Sequence, residues 1–177
     1  MKIEKILFAG LMLLHLSVSG QSPGDIKDYL KNKDVSIVAK DFYGGKFKAS
    51  DDGRTLSILD SLKTRNNLTR PFYIYLVSIM MDKSDGALSG VLGEASKEFI
   101  EHNPNGAIDF LYSSNKVLIK KFRRNWAFRI GGEFVITCEG KEKECAKKSL
   151  EQTLIKTSQG NKSKLTQFYK QIEAYFH

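Results

Sequence analysis

The chain is short of the residues that usually announce a chemistry. It has three prolines in 177 residues, Pro23, Pro71 and Pro104, so no proline-rich linker divides it. It has three histidines; one, His15, lies in the opening segment, which leaves His102 and His177. Two separated histidines with no neighbouring cysteine do not make a zinc site. His102 falls at the end of an expected helix and reads as a capping residue rather than a base. Neither G-x-S-x-G nor H-E-x-x-H occurs. Gly44-Gly45-Lys46 lacks the glycine spacing of a phosphate loop and runs into Phe47 where Ser or Thr is needed. Asp51-Asp52-Gly53 and Asp82-Lys83-Ser84-Asp85-Gly86 lack the alternating ligands and closing glutamate of a calcium loop. No metal and no cofactor are expected.

Long apolar runs are also missing. The one at the start, Ile6 to Val18, is broken by His15 and Ser17 and falls short of the roughly 20 residues of a membrane span. Lys2 and Lys5 precede it, and Ser19, Gly20 and Gln21 follow, where the sequence turns polar. A basic start, a short apolar stretch and small residues form an export signal, with cleavage expected between Gly20 and Gln21. No cysteine follows the run, so a lipid-modified cysteine is excluded there. Phe72 to Met81 is too short to span and ends at Asp82-Lys83. The expected organisation is a signal peptide over 1–20 and a single domain over 21–177, periplasmic or extracellular, with no transmembrane segment after cleavage. A domain of that size can bury roughly 70% of its unfolded surface without staples.

The two cysteines, Cys138 and Cys145, read as one disulfide in an oxidising compartment. Seven residues of continuous helix would hold their Cα atoms roughly 10 Å apart, beyond the roughly 6.8 Å that a bridge tolerates. The chain must therefore turn between them, and Glu139-Gly140-Lys141 supplies the break. The spacing is not C-x-x-C, so a redox-active pair is not expected.

The remaining pattern is helical. Leu88, Val91, Leu92, Ala95 and Phe99 recur at the helical period from 87 to 102. Asn103-Pro104 ends that helix and starts the next, which carries Ile108, Phe110 and Leu111. Residues 143–158 predict a helix with Leu150, Leu154 and Ile155 inward and lysines outward. Gly160-Asn161 reads as the turn before a last helix that buries Leu165, Phe168, Tyr169, Ile172, Tyr175 and Phe176. Thr55–Lys63 and Pro71–Met81 predict two helices joined across Asn66-Asn67, the second apolar nearly all round and hence central. Asp25–Lys31 looks helical; Val35–Phe47 reads as a helix broken at Gly44-Gly45 or as a short hairpin. Residues 117–137 also admit a hairpin turning at Gly131-Gly132. The expected fold class is all-α: an antiparallel helical bundle or a short stack of helix pairs, with seven or eight helices.

The chain is basic, +8 overall, and +7 once Lys2, Glu4 and Lys5 leave with the signal. Such a surface favours an anionic partner: an acidic glycan, a membrane surface or an acidic protein. Nucleic acid is not expected, because the export signal points away from it. No acidic residue occurs from 116 to 130, and Lys116, Lys120, Arg123 and Arg124 share one side of a helical wheel. Leu118, Ile119, Phe122, Trp126 and Ile130 occupy the other, with Trp126 as a core anchor. Those four basic residues form the candidate anion-binding face. The alternative for them is an ordinary solvated helix face. Arg129 falls among the apolar positions and should snorkel or pair with a carboxylate. Gly86, Gly90 and Gly93 project together, as for a close helix approach or a frayed exposed helix. An aromatic sugar platform would require Tyr73 or Tyr75 to be exposed.

No catalytic residue is assigned. The functional expectation is a non-enzymatic, exported binding or scaffold domain that uses its basic face. The competing one is a glycan-cleaving hydrolase with Glu94 as general acid, since Glu94, followed by Ala95-Ser96, is the one glutamate whose flanks suit such a site. A further alternative is a protein–protein module docking on the glycine-lined face.

Overall fold

The computed structural model describes residues 26–64, 66–84, 86–114 and 116–176. The export signal expected over 1–20 lies outside these residues. The fold is an all-α helical bundle, with no strand among the described residues. A 3-10 turn at Ile26–Lys31 leads into α1 (Ile37–Tyr43) and α2 (Gly53–Asp60), which runs on through a 3-10 turn at Ser61–Lys63. Then follow α3 (Arg70–Lys83), α4 (Gly86–His102), α5 (Pro104–Leu111), α6 (Val117–Cys138), α7 (Glu142–Ile155) and α8 (Gln159–Glu173).

Local chemistry sets many of these boundaries. Ser36 caps α1, its side chain accepting the Ala39 N–H at 3.1 Å. Asp52 caps α2 through the Thr55 N–H at 3.0 Å; that bond, with a further one from Arg54, holds its carboxyl at about 2. Pro71 and Pro104 stand in the first turns of α3 and α5, where a missing N–H costs nothing. α1 ends at Gly44, and Gly45 follows at φ +74°, a turn that glycine takes without strain. Thus 35–47 is a broken helix and not a hairpin.

α3 is the central rod. Phe72, Tyr73, Ile74, Leu76, Val77, Met80 and Met81 are all buried, so no single face of it is solvated. α6 packs against α3, α4, α5, α7 and α8. Its Trp126 is fully enclosed, edge-on to Phe99 with ring centroids 6.0 Å apart. The indole N–H donates to Ser78 Oγ at 2.8 Å, and that hydroxyl donates to Ile74 O at 2.7 Å. The core anchor is therefore also hydrogen-bonded.

The hairpin reading of 117–137 fails because both glycines lie inside α6. Gly131 is buried where a Cβ would stand 3.0 Å from Tyr175 Cβ and 3.2 Å from Ile172 O. It is a contact point for the C-terminal segment, and Gly132 is open. A similar division runs through the α4 glycines. Gly93 lies against α6, where a Cβ would meet Arg129 O at 3.0 Å, while Gly86 and Gly90 face open space. Close approach explains one of the three.

α7 is rotated from its expected phase. Ala146, Ser149 and Thr153 are its buried residues, Leu150 and Leu154 are half-buried, and Ile155 is 84% exposed. The inward hydroxyls are satisfied: Ser149 Oγ donates to Glu101 Oε1 at 2.7 Å and meets Tyr169 Oη at 2.7 Å, and Thr153 and Thr157 donate back to carbonyls one turn earlier. A hydroxyl ladder can face a core when each member has a partner. The turn into α8 lies at 156–158, not at Gly160-Asn161; Asn161 is buried in the first turn of α8, donating to Asp109 at 2.9 Å. Leu165, Phe168, Tyr169 and Ile172 are buried as expected, and Tyr175 and Phe176 pack partly buried beyond the helix.

Cys138 and Cys145 are paired, with Cα atoms 6.5 Å apart. The turn between them carries Glu139 and Gly140 at positive φ, 37° and 83°. The break expected at Glu139-Gly140-Lys141 therefore lets the end of α6 meet the start of α7.

Candidate functional site

The basic segment occupies the N-terminal half of α6. No acid stands in its first turn, and Lys116 precedes it as cap without a capping side-chain bond. Lys116, Lys120 and Arg124 are exposed, as their shared wheel position implies. Arg123 behaves differently. It is half-buried, with its guanidinium 4.3 Å from the centre of the Tyr112 ring. That contact is a cation–π pair, and it ties α6 to the end of α5. Burial raises the Tyr112 phenol above its ordinary value, so it stays neutral beneath the cation. Lys121 reaches Asp82 at 2.7 Å and holds that carboxyl below its usual range. Three of the four predicted residues are thus free surface cations, and the fourth is a packed one.

The apolar side of the wheel is not wholly inward. Leu118, opposite the cations, is 49% exposed, and Val117, on their own side, is 84% exposed. Phe122, Trp126 and Ile130 are buried as expected. Beyond Arg124 the buried face of α6 swings round. Ala127, Gly131 and Phe134 are buried on the sector that carries the cations two turns earlier. α8 and the Tyr175 segment pack on that half, so the basic stripe stops where they begin. The outer edge continues with Phe128, 50% exposed and edge-on to Tyr175, then Val135 and Ile136.

Arg129 neither snorkels nor pairs with a carboxylate among the described residues. Its Nη2 donates to Met81 O at 3.4 Å and to Ser84 O at 3.5 Å, with a further bond to Ser84 Oγ. It caps the C-terminus of α3, where carbonyls accumulate negative potential. Wheel position could not reveal this, because the acceptors, two carbonyls and the Ser84 hydroxyl, lie on another helix end.

Glu94 is exposed at a shallow depression of about 150 Å³ between α2 and α4, lined also by Asp60, Lys63 and Glu98. Glu98 pairs with Lys63 at 2.6 Å, and this bond raises the lysine. Small-molecule pockets start at roughly 300 Å³, so this one is short of a sugar-binding cleft. His102 is exposed, its Nδ1 2.8 Å from Glu98 O, consistent with a place at the end of α4. No group of His, Cys, Asp and Glu among the described residues could hold a metal.

Two larger concavities were not legible as sites. One, of about 420 Å³, lies beside the start of α5 and is lined by Arg70, His102, Asn105, Asp109 and Lys156 among others. Arg70 there is engaged with Asn67 and the Thr64 carbonyl. The other, of about 610 Å³, opens between the segment after α1 and the side of α3. Tyr75 lines it half-buried, whereas Tyr73 is buried and accepts the Ser36 N–H at 3.1 Å. An aromatic platform would require one of these two tyrosines to be exposed, and neither is: Tyr75 is partly buried and Tyr73 fully so.

These features define the class of protein: an all-α bundle with one disulfide-closed corner, a cationic helix face and an aromatic cavity. No protein-family model, no curated protein and no solved structure matches the chain.

Proposed function

We propose that this is an exported, non-enzymatic binding protein whose α6 face rests on an anionic membrane surface. The observation that carries the reading is the grouping on one side of a half-helix of three exposed cations, Lys116, Lys120 and Arg124, with an exposed apolar residue, Val117. Cations alone would suit any polyanion. An apolar side chain beside them suits an interface whose headgroups are charged and whose interior is hydrocarbon. The residues are held by a helix that is anchored elsewhere, so little ordering is needed on contact. Export is supported by the residue order over 1–21 and by the Cys138–Cys145 bridge, which persists in oxidising compartments. Among the described residues no helix is long and apolar enough to cross a membrane, so contact would be peripheral.

The test is co-sedimentation with phosphatidylglycerol vesicles and with phosphatidylcholine vesicles. Binding to the anionic vesicles is expected, and the combined Lys116→Glu, Lys120→Glu and Arg124→Glu variant should weaken it by about a hundredfold, given the worth of each basic residue at such a surface. Val117→Asp should weaken it again. Arg123 is left intact, because it packs on Tyr112. Equal sedimentation of the charge-reversed and parent proteins would reduce this face to ordinary surface. Retention on heparin without vesicle binding would assign it to an acidic glycan instead.

A further inference from the structure

The cavity between α1 and α3 has no part in that reading. Its walls follow from the sequence. The turn at Gly44-Gly45 throws the chain out of α1, so Phe47, Lys48 and Ala49 run opposite the side of α3 that shows Tyr75, Ile79, Met80 and Lys83. Phe42 and Tyr43, from the last turn of α1, and Leu88, from α4, complete the lining. Met80 and Leu88 are buried and give an apolar floor. The walls are pre-set by ring contacts. Phe47 is held by Phe42 at 5.6 Å and covered by Arg54 at 4.4 Å, and Tyr75 is held by Tyr43 at 6.3 Å and Phe122 at 5.8 Å. At about 610 Å³ the space is within the roughly 300–1,000 Å³ of small-molecule sites.

Each polar side chain of the lining can donate a hydrogen bond. Lys48 and Lys83 are exposed and make no ion pair or hydrogen bond among the described residues. The neighbouring acid, Asp82, is occupied by Lys121. The Tyr43 and Tyr75 hydroxyls have no hydrogen-bond partner among the described residues. Burial, and then the Tyr43 hydroxyl, raise the Tyr75 phenol, so it stays a donor. No acidic residue lines the cavity. A part-open cavity with aromatic walls, an apolar floor and unpaired cations is complementary to a greasy body that ends in a negative charge.

We infer that this cavity binds a long-chain carboxylate, its hydrocarbon against Phe42, Tyr75, Ile79, Met80 and Leu88 and its head at Lys48 and Lys83. The side chains that read as unexceptional core aromatics and surface lysines in sequence thereby form one site.

The experiment is isothermal titration of the full chain with dodecanoate below its micelle concentration. Dodecyl maltoside and dodecyltrimethylammonium serve as neutral and cationic heads on the same chain. Saturable one-to-one binding of dodecanoate is expected, with the other two weaker by about tenfold or more. Lys48→Gln with Lys83→Gln, both exposed positions, should lower dodecanoate affinity by about tenfold with at most a small change in melting temperature. Ile79→Trp should fill the space and abolish binding; the lysine variant keeps the test decisive if that protein does not fold. The Lys116, Lys120 and Arg124 variant should bind dodecanoate as the parent does, which separates this site from the α6 face. Equal binding of all three heads, non-saturating uptake, or indifference to the lysine variant would overturn the assignment.

Discussion

Ser78 decides how deeply Trp126 can be enclosed. An indole N–H with no partner in the core costs free energy, and Ser78 Oγ is its acceptor at 2.8 Å. Ser78→Ala should therefore destabilise the fold by about 1–3 kcal/mol, although it removes a polar atom from an apolar setting. Urea denaturation followed by Trp126 fluorescence checks this, and an unchanged midpoint would show that the indole bond contributes nothing net. The tryptophan's burial was legible from its place on the apolar side of α6. Its partner was not, because Ser78 is an unremarked polar residue inside the central helix. Arg129 teaches the same lesson. A cation on an apolar face advertises a need for acceptors, but two of the three that meet it, the Met81 and Ser84 carbonyls, are backbone, which every sequence position offers equally, and the third is the Ser84 hydroxyl, 45 residues away.

α6 is where local periodicity and packing diverge most. A wheel assumes one buried face along the whole helix, and that holds up to Arg124. Over 22 residues, however, the helix meets different neighbours at its two ends, and its buried sector turns with them. The basic stripe is consequently short, and Phe128, Val135 and Ile136 form an outer edge no wheel placed there. The adjacent glycines report this packing directly. Gly131→Ala would press a Cβ against Tyr175 Cβ and Ile172 O, and should cost about 1–3 kcal/mol. Gly132→Ala meets nothing and should stabilise α6 by roughly 0.5–1 kcal/mol. Thermal melts of the two variants moving in opposite directions would establish that α8 and Tyr175 close on this helix; two shifts of like sign would contradict it. In α7, the expected phase followed Leu150, Leu154 and Ile155, yet the hydroxyls of Ser149, Thr153 and Thr157 face inward. Polar side chains that bond their own helix or Tyr169 can be buried, and hydropathy alone does not register that.

For the molecule as a whole, charge and shape act at different places. The cationic α6 face is open surface, so its attraction for anionic vesicles should weaken steeply with salt. Sedimentation at 1 M salt, where the screening length is about 3 Å, should fall to a small fraction of its low-salt value. Binding that is indifferent to salt would point to apolar contacts such as Val117 acting alone. The cavity under Tyr75 is part-enclosed, and its apolar contribution is not screened.

While the hairpin alternatives at 35–47 and 117–137 and the start of α8 were settled only by the structure, most helix positions, the central role of α3, the bridge between Cys138 and Cys145, and the excess of cations early in α6 were written in the order of residues. Each depends on neighbours within a few turns, where spacing, caps and glycines act directly. Which face of α7 turns inward, where the basic stripe ends, what Arg129 binds, and that Phe42, Tyr75 and Lys83 enclose one space were decided by packing. Those outcomes depend on segments distant along the chain coming together, and a helix sees such partners only once the bundle has closed around it.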